Sequence, residues 1–122
     1  LDLLRERGLE SDTATLADVG DLVARDHALA VLGFRLTLTA LGGADPSGSE
    51  ASVRKLLGVE HDQRVQEVGL ALFGGAGAIA DGPQAQWSEQ FLFTRNLTIA
   101  GGTSEIQRNI IGERVLGLPK DP

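Results

Sequence analysis

The 122-residue sequence contains no cysteine. That excludes a disulfide framework and a thiolate metal site, and it fits a reducing, cytoplasmic setting. No apolar run approaches the roughly 20 residues needed to span a bilayer, and the residues from Leu1 onward lack the basic flank and cleavage signal of a secretory leader. A soluble, internal protein without membrane contact is expected. A basic excess is missing as well: 17 acidic residues against 11 basic ones leave a formal charge of -6. Phosphate surfaces are repelled by that balance, and no local basic patch offsets it, so nucleic acid is excluded as a partner. Internal repeats, low-complexity tracts and β-type alternation are all absent. The histidines carry no metal pattern: His27 follows Asp26, His61 follows Glu60, and adjacent helical residues diverge by about 100°. Both read as solvated helix positions, with no metal bound.

What is present is helical. A length of 122 residues with 42% hydrophobic content suits one domain with a modest core. Leu1 to Arg7 reads as the last turns of a helix whose earlier part precedes this sequence, ended by Gly8 as a C-cap residue. Asp12, Thr13 and Thr15 are turn and N-cap candidates before a proline-free run from Ala17 to Leu41. Val19, Leu22, Val23, Leu29, Leu32 and Leu36 repeat there at helical spacing, and Ala28, Val31, Phe34 and Leu38 cover the other side. The pattern predicts a helix buried on more than one face. Gly42 to Ser49 reads as a loop, and Ala51 to about Phe73 as a second, amphipathic helix with Val53, Leu56, Leu57, Val65, Val68 and Leu72 on one stripe.

Gly74 to Gly77 breaks that helix, Asp81-Gly82-Pro83 makes a turn, and Trp87 to Arg95 reads as a short helix. A last helix is expected from about Thr103 to Val115, stopped by Gly117 and Pro119. An antiparallel, up-down four-helix-bundle-like domain is the economical all-α fold.

The segment before the last helix concentrates the functional signal. Gly101-Gly102 permits a tight turn, Thr103 or Ser104 can cap the next helix, and Glu105 or Gln107 can reach back to the first amides. A helix amino end of this kind favours an anionic ligand. A plain glycine turn with a capping box explains the same spacing.

The string from Leu97 to Pro119, with Gly102-Thr103-Ser104-Glu105-Ile106-Gln107-Arg108 at its centre, closely resembles the C-terminal segment of acyl-CoA dehydrogenases. These are flavoenzymes that oxidise acyl-CoA thioesters to 2,3-enoyl forms. The resemblance is clear from Ala51 to Pro119. It implies that residues 1–122 form the C-terminal helical domain of such an enzyme, with the amino-terminal helical and β domains outside this sequence. It implies FAD as cofactor, acyl-CoA as the substrate of the parent protein, and a homo- or hetero-oligomer, dimer or tetramer. The isolated piece is expected to be inactive and to self-associate, or to depend on a partner, through its uncovered apolar surface.

By the same resemblance, Gly102, Thr103 and Glu105 fall at the flavin, Thr103 at the ring system and Glu105 toward the sugar or adenine end. Many relatives carry a glutamate where this sequence has Gly101, and that glutamate removes the proton alpha to the thioester. Glycine cannot accept a proton. The resemblance therefore implies either a base outside this sequence or a non-catalytic structural subunit of a heteromeric dehydrogenase.

Leu72-Phe73-Gly74-Gly75-Ala76-Gly77 resembles the family's Phe-Gly-Gly-x-Gly turn, which approaches the adenine and pyrophosphate end of flavin held mainly by a neighbouring subunit. Phe73, Gly74 and Gly75 are the residues implied. The family's preceding glutamine is Ala71 here, and its Arg-x-x-Phe-Gly motif is replaced by the acidic stretch Gly8 to Thr13. A helix C-cap and turn is the structural alternative for this segment. Trp87, Phe91 and Phe93 are expected to be core. Arg108 and Arg114 are candidates for phosphate or partner contact, although Arg114 also suits a helix carboxyl end. A free-standing helical interaction module is the third reading.

Overall fold

A computed structural model describes residues 1–43 and 49–120. The loop expected at Gly42 to Ser49 lies mostly outside the described residues. The order of elements is α1 (Asp2–Glu6), α2 (Thr13–Leu41), α3 (Ser49–Leu72), a 3-10 turn (Gly74–Ala78), α4 (Ala85–Asn96) and α5 (Ser104–Arg114). The fold is all-α, with no strand among the described residues.

Local chemistry sets the helix ends. α1 stops because Gly8 adopts φ +66°, and the Leu9 amide then donates back to the Leu4 carbonyl. α2 begins four residues earlier than its apolar pattern because the Asp12 side chain accepts from the Thr15 amide at 2.8 Å. Thr103 does the same for α5, its hydroxyl oxygen accepting from the Ile106 amide at 3.3 Å. Gly77 stays a glycine for packing: a Cβ there would lie 2.5 Å from the Leu70 carbonyl oxygen, so the 3-10 turn folds flat against α3.

The centre of the domain is α3, on which α2, α4, α5 and the 3-10 turn all pack. Ion pairs record the register. Asp18 and Arg35 of α2 meet Arg64 and Glu50 of α3, so the two helices run in opposite directions. Arg95 of α4 reaches Glu67 at 2.9 Å, and Arg108 of α5 reaches Glu60 at 3.0 Å. Gly69 of α3 makes way for Trp87: a Cβ would sit 2.1 Å from the indole.

The expected roles of the two long helices are exchanged. The α2 helix, expected to be buried on more than one face, has no buried residue. Its Val19, Leu22, Leu29, Leu32 and Leu36 are half-buried toward α3, whereas Val23, Val31, Phe34, Leu38 and Leu41 are exposed because no described residue covers that side. The α3 helix, expected to be amphipathic, is instead contacted on several sides and supplies the buried Val59, His61 and Val68, while Leu57 of its apolar stripe is exposed. His61 is therefore not a solvated position; His27 is. Phe93 is 54% exposed and leaves the expected aromatic core, in which Trp87 and Phe91 remain half-buried. The core itself is small: Leu4, Val59, Val68 and Phe73 are its buried apolar side chains among the described residues.

Candidate functional site

The turn between α4 and α5 is built from two left-handed glycines, Gly101 at φ +69° and Gly102 at φ +98°. Any side chain there would be strained. Both carbonyls of the turn are tied down: Lys55 Nζ donates to the Gly102 oxygen at 2.6 Å, and Gln107 Nε2 donates to the Gly101 oxygen at 2.8 Å. Gln107 is buried, so it does not make the reciprocal capping bond considered for it. Nothing lies within 4 Å of where a Gly101 Cβ would project, so that edge of the backbone is open to an incoming group.

Thr103 and Glu105 meet at the mouth of α5. Hydrogen bonds from the Glu105 backbone amide and then from the Thr103 hydroxyl hold the Glu105 carboxyl below the usual carboxylate range. The negative charge therefore sits at the positive end of the helix. The two polar groups and the open glycine edge form one polar rim.

The second predicted cluster lies elsewhere. Gly74 (φ +57°) and Gly75 are exposed, with no atom within 4 Å of either Cβ position. Phe73 is buried, and the Arg7 guanidinium covers its ring at 4.1 Å from the centroid. Its ring thus serves packing, while the glycine backbone stays accessible. The two turns stand at opposite ends of α3, about 25 Å apart along its axis at 1.5 Å rise per residue. Thr103, Glu105 and Gly102 form one group; Phe73, Gly74 and Gly75 form another.

Two residues, Arg7 and Lys55, were given no site role from the sequence, and Gln107 was read there as a capping residue. Arg7 supplies a cation at the 73–75 turn although the expected arginine motif is missing. Lys55 and Gln107 fix the 101–102 carbonyls. Contact across 47 to 66 positions of chain leaves no local sequence signal; only Gln107 lies within one motif of its partner. Arg108, a phosphate candidate, pairs instead with Glu60. A cleft of about 430 Å³ between α2 and α3 is lined by Asp26, Leu29, Arg54, Lys55, His61 and Leu97. Among the described residues there is no cluster of three potential metal ligands, and no helix is long and apolar enough to cross a membrane.

A family model described as the acyl-CoA dehydrogenase C-terminal domain matches residues 5–116. The chain belongs to the acyl-CoA dehydrogenase family. It is 40% identical over 120 residues to acyl-CoA dehydrogenase FadE34 of Mycobacterium tuberculosis, a match covering 98% of this chain and 16% of that protein. Acyl-CoA dehydrogenase IpdE1 of the same organism is 38% identical over 120 residues, covering 98% and 28%. Its namesake in Mycolicibacterium smegmatis is 36% identical over 120 residues, covering 98% and 26%. The chain thus spans less than a third of the length of these acyl-CoA dehydrogenases. No solved structure matches it significantly.

Proposed function

We propose that residues 1–122 are the C-terminal helical domain of an FAD-dependent acyl-CoA dehydrogenase of the cytoplasm. The parent protein oxidises an acyl-CoA thioester to its 2,3-enoyl form. The observation that carries this reading is the 101–105 turn, where an open glycine edge, the Thr103 hydroxyl and the Glu105 carboxylate converge with both carbonyls already engaged. That rim has the space and the hydrogen-bonding groups for a polar ring edge, so these residues fit FAD. When bound, FAD takes up the hydride released from the acyl chain.

The chain's own contribution is binding and assembly. Gly102, Thr103 and Glu105 hold the flavin at one turn. The open backbone of Gly74 and Gly75 beside Phe73, with Arg7 as the nearby cation, receives the pyrophosphate end of another flavin, because one turn lies a helix length from the other. The oligomer, homomeric or heteromeric, brings that second flavin into reach. Gly101 cannot accept the alpha proton, and the Glu105 carboxyl, held below the usual carboxylate range by its own amide and Thr103, is a weakened base. The base therefore belongs to another part of the parent protein.

Gly101 and Ala71 also favour a second reading, in which this is the non-catalytic structural subunit of a heteromeric dehydrogenase. The visible absorption spectrum separates the two. The chain joined to its parent amino-terminal portion is expected to be yellow and to bleach on adding an acyl-CoA. A protein that stays colourless until another subunit is supplied would decide for the structural subunit. Failure to bind flavin in either state would refute both.

A further inference from the structure

We infer that Lys55 and Gln107 are positioning residues for the 101–103 turn, and that Lys55, reaching from α3, sets the orientation in which the turn meets its ligand. The inference rests on the flavin reading above. Left-handed glycines give the turn unusual freedom: Gly101 and Gly102 both sit at positive φ, where glycine has no steric penalty and many alternatives. Something outside the turn must therefore select one conformation. Two side chains do so. Lys55 Nζ lies 2.6 Å from the Gly102 oxygen, and Gln107 Nε2 lies 2.8 Å from the Gly101 oxygen. The Gly102 amide completes the set by donating to the Ile99 carbonyl at 3.2 Å.

The Lys55 bond is charge-assisted, and Lys55 is half-buried, so it is worth more than a neutral surface bond. It also brings an ammonium next to the positive end of α5, one residue from Thr103. Both carbonyls of the turn are thereby engaged by side-chain donors, and the open edge at Gly101 is left beside the Thr103 hydroxyl and the Glu105 carboxylate. Gly102 is required by the same device: a Cβ would stand 2.9 Å from Gln107 Nε2, displacing the second bond.

Lys55→Met and Lys55→Arg test this, both in this chain and in the flavin-loaded parent protein. In the chain, amide exchange at Ile106 and Gln107 should quicken about tenfold in Lys55→Met and return in Lys55→Arg, with α4 amides unchanged as the control of folding. In the parent protein, Lys55→Met should weaken flavin affinity about tenfold and shift the visible flavin bands, and Lys55→Arg should bring both back. Unchanged α5 exchange overturns the inference, and so do wild-type bands and affinity in Lys55→Met when Thr103→Val or Glu105→Gln does weaken flavin binding. If Lys55→Met disturbs α4, Gln107→Met replaces it, and unmoved flavin bands there overturn the inference equally. Thr103→Val and Glu105→Gln check the flavin reading separately. Should both bind flavin normally while α5 exchange still responds to Lys55→Met, the flavin reading fails and the positioning of the turn is supported.

Discussion

Trp87 and Gly69 show how much one pair of residues decides in this protein. The indole lies over α3 where a Cβ would come within 2.1 Å of it, so the α3–α4 contact depends on the missing side chain. Gly69→Ala should expel the ring and destabilise the domain by about 1–3 kcal/mol, the usual range for overpacking. Trp87 is the sole tryptophan, so a red-shifted emission together with a lower thermal midpoint would verify it; unchanged emission would refute it. Polar residues fill much of the remaining interior. Thr94 is buried, with its hydroxyl donating to the Phe91 carbonyl and its own carbonyl accepting from Gln63. Buried Gln84 donates to the Asp81 and Ile79 carbonyls. His61 Nδ1 and Gln66 Oε1 are buried without partners among the described residues, an unfavourable feature in a small core.

At the scale of elements, the caps and the α3 contacts set the architecture. Asp12 and Glu105 both hold their carboxyls below the ordinary range, Asp12 chiefly through bonds from the Thr15 hydroxyl and amide. A lowered folded-state pKa means that the stabilisation is complete above the unfolded value and is lost as pH falls through the folded one. The window lies below about pH 4, the ordinary carboxylate range. Asp12→Ala should lower the thermal midpoint at neutral pH, and the gap to the wild type should close as the pH drops below about 4. A gap independent of pH would show that the carboxylate is not the cap. The interhelical ion pairs are half-exposed, and each such pair contributes about 0–1 kcal/mol. Their value is in register. Asp18–Arg64, Glu67–Arg95 and Glu60–Arg108 each tie a different neighbour to α3.

Much of this level was legible beforehand. The glycine turns, the Asp12 and Thr103 caps and the approximate helix spans follow from local rules that act over three or four residues. The centrality of α3 did not follow, since an apolar residue on a helix does not say which neighbour covers it. Phe93 and Leu57 are apolar and still face solvent. The Lys55 and Arg7 contacts were equally hidden, because an exposed-looking cation carries no mark of its partner.

For the whole molecule, the uncovered side of α2 dominates. Val31, Phe34, Leu38 and Leu41 leave an exposed apolar strip, with Phe34 at 65% and Leu41 at 79% exposure, and Val23 lies beyond the exposed His27 on the same helix. Patches of this kind favour association. The isolated chain should sediment as a concentration-dependent oligomer, and Phe34→Glu with Leu38→Glu should shift it toward monomer without loss of helical signal. A stable wild-type monomer at high concentration would contradict this. The sequence by itself determined the helical class, the turns, the caps and the family motif, because each depends on neighbours a few residues away. Only the tertiary structure decided that α3 is the hub, that the two glycine turns stand a helix length apart, and that Lys55 and Arg7 reach them. Those outcomes depend on which faces meet, and packing between distant segments is settled by the sum of many weak contacts rather than by any local pattern.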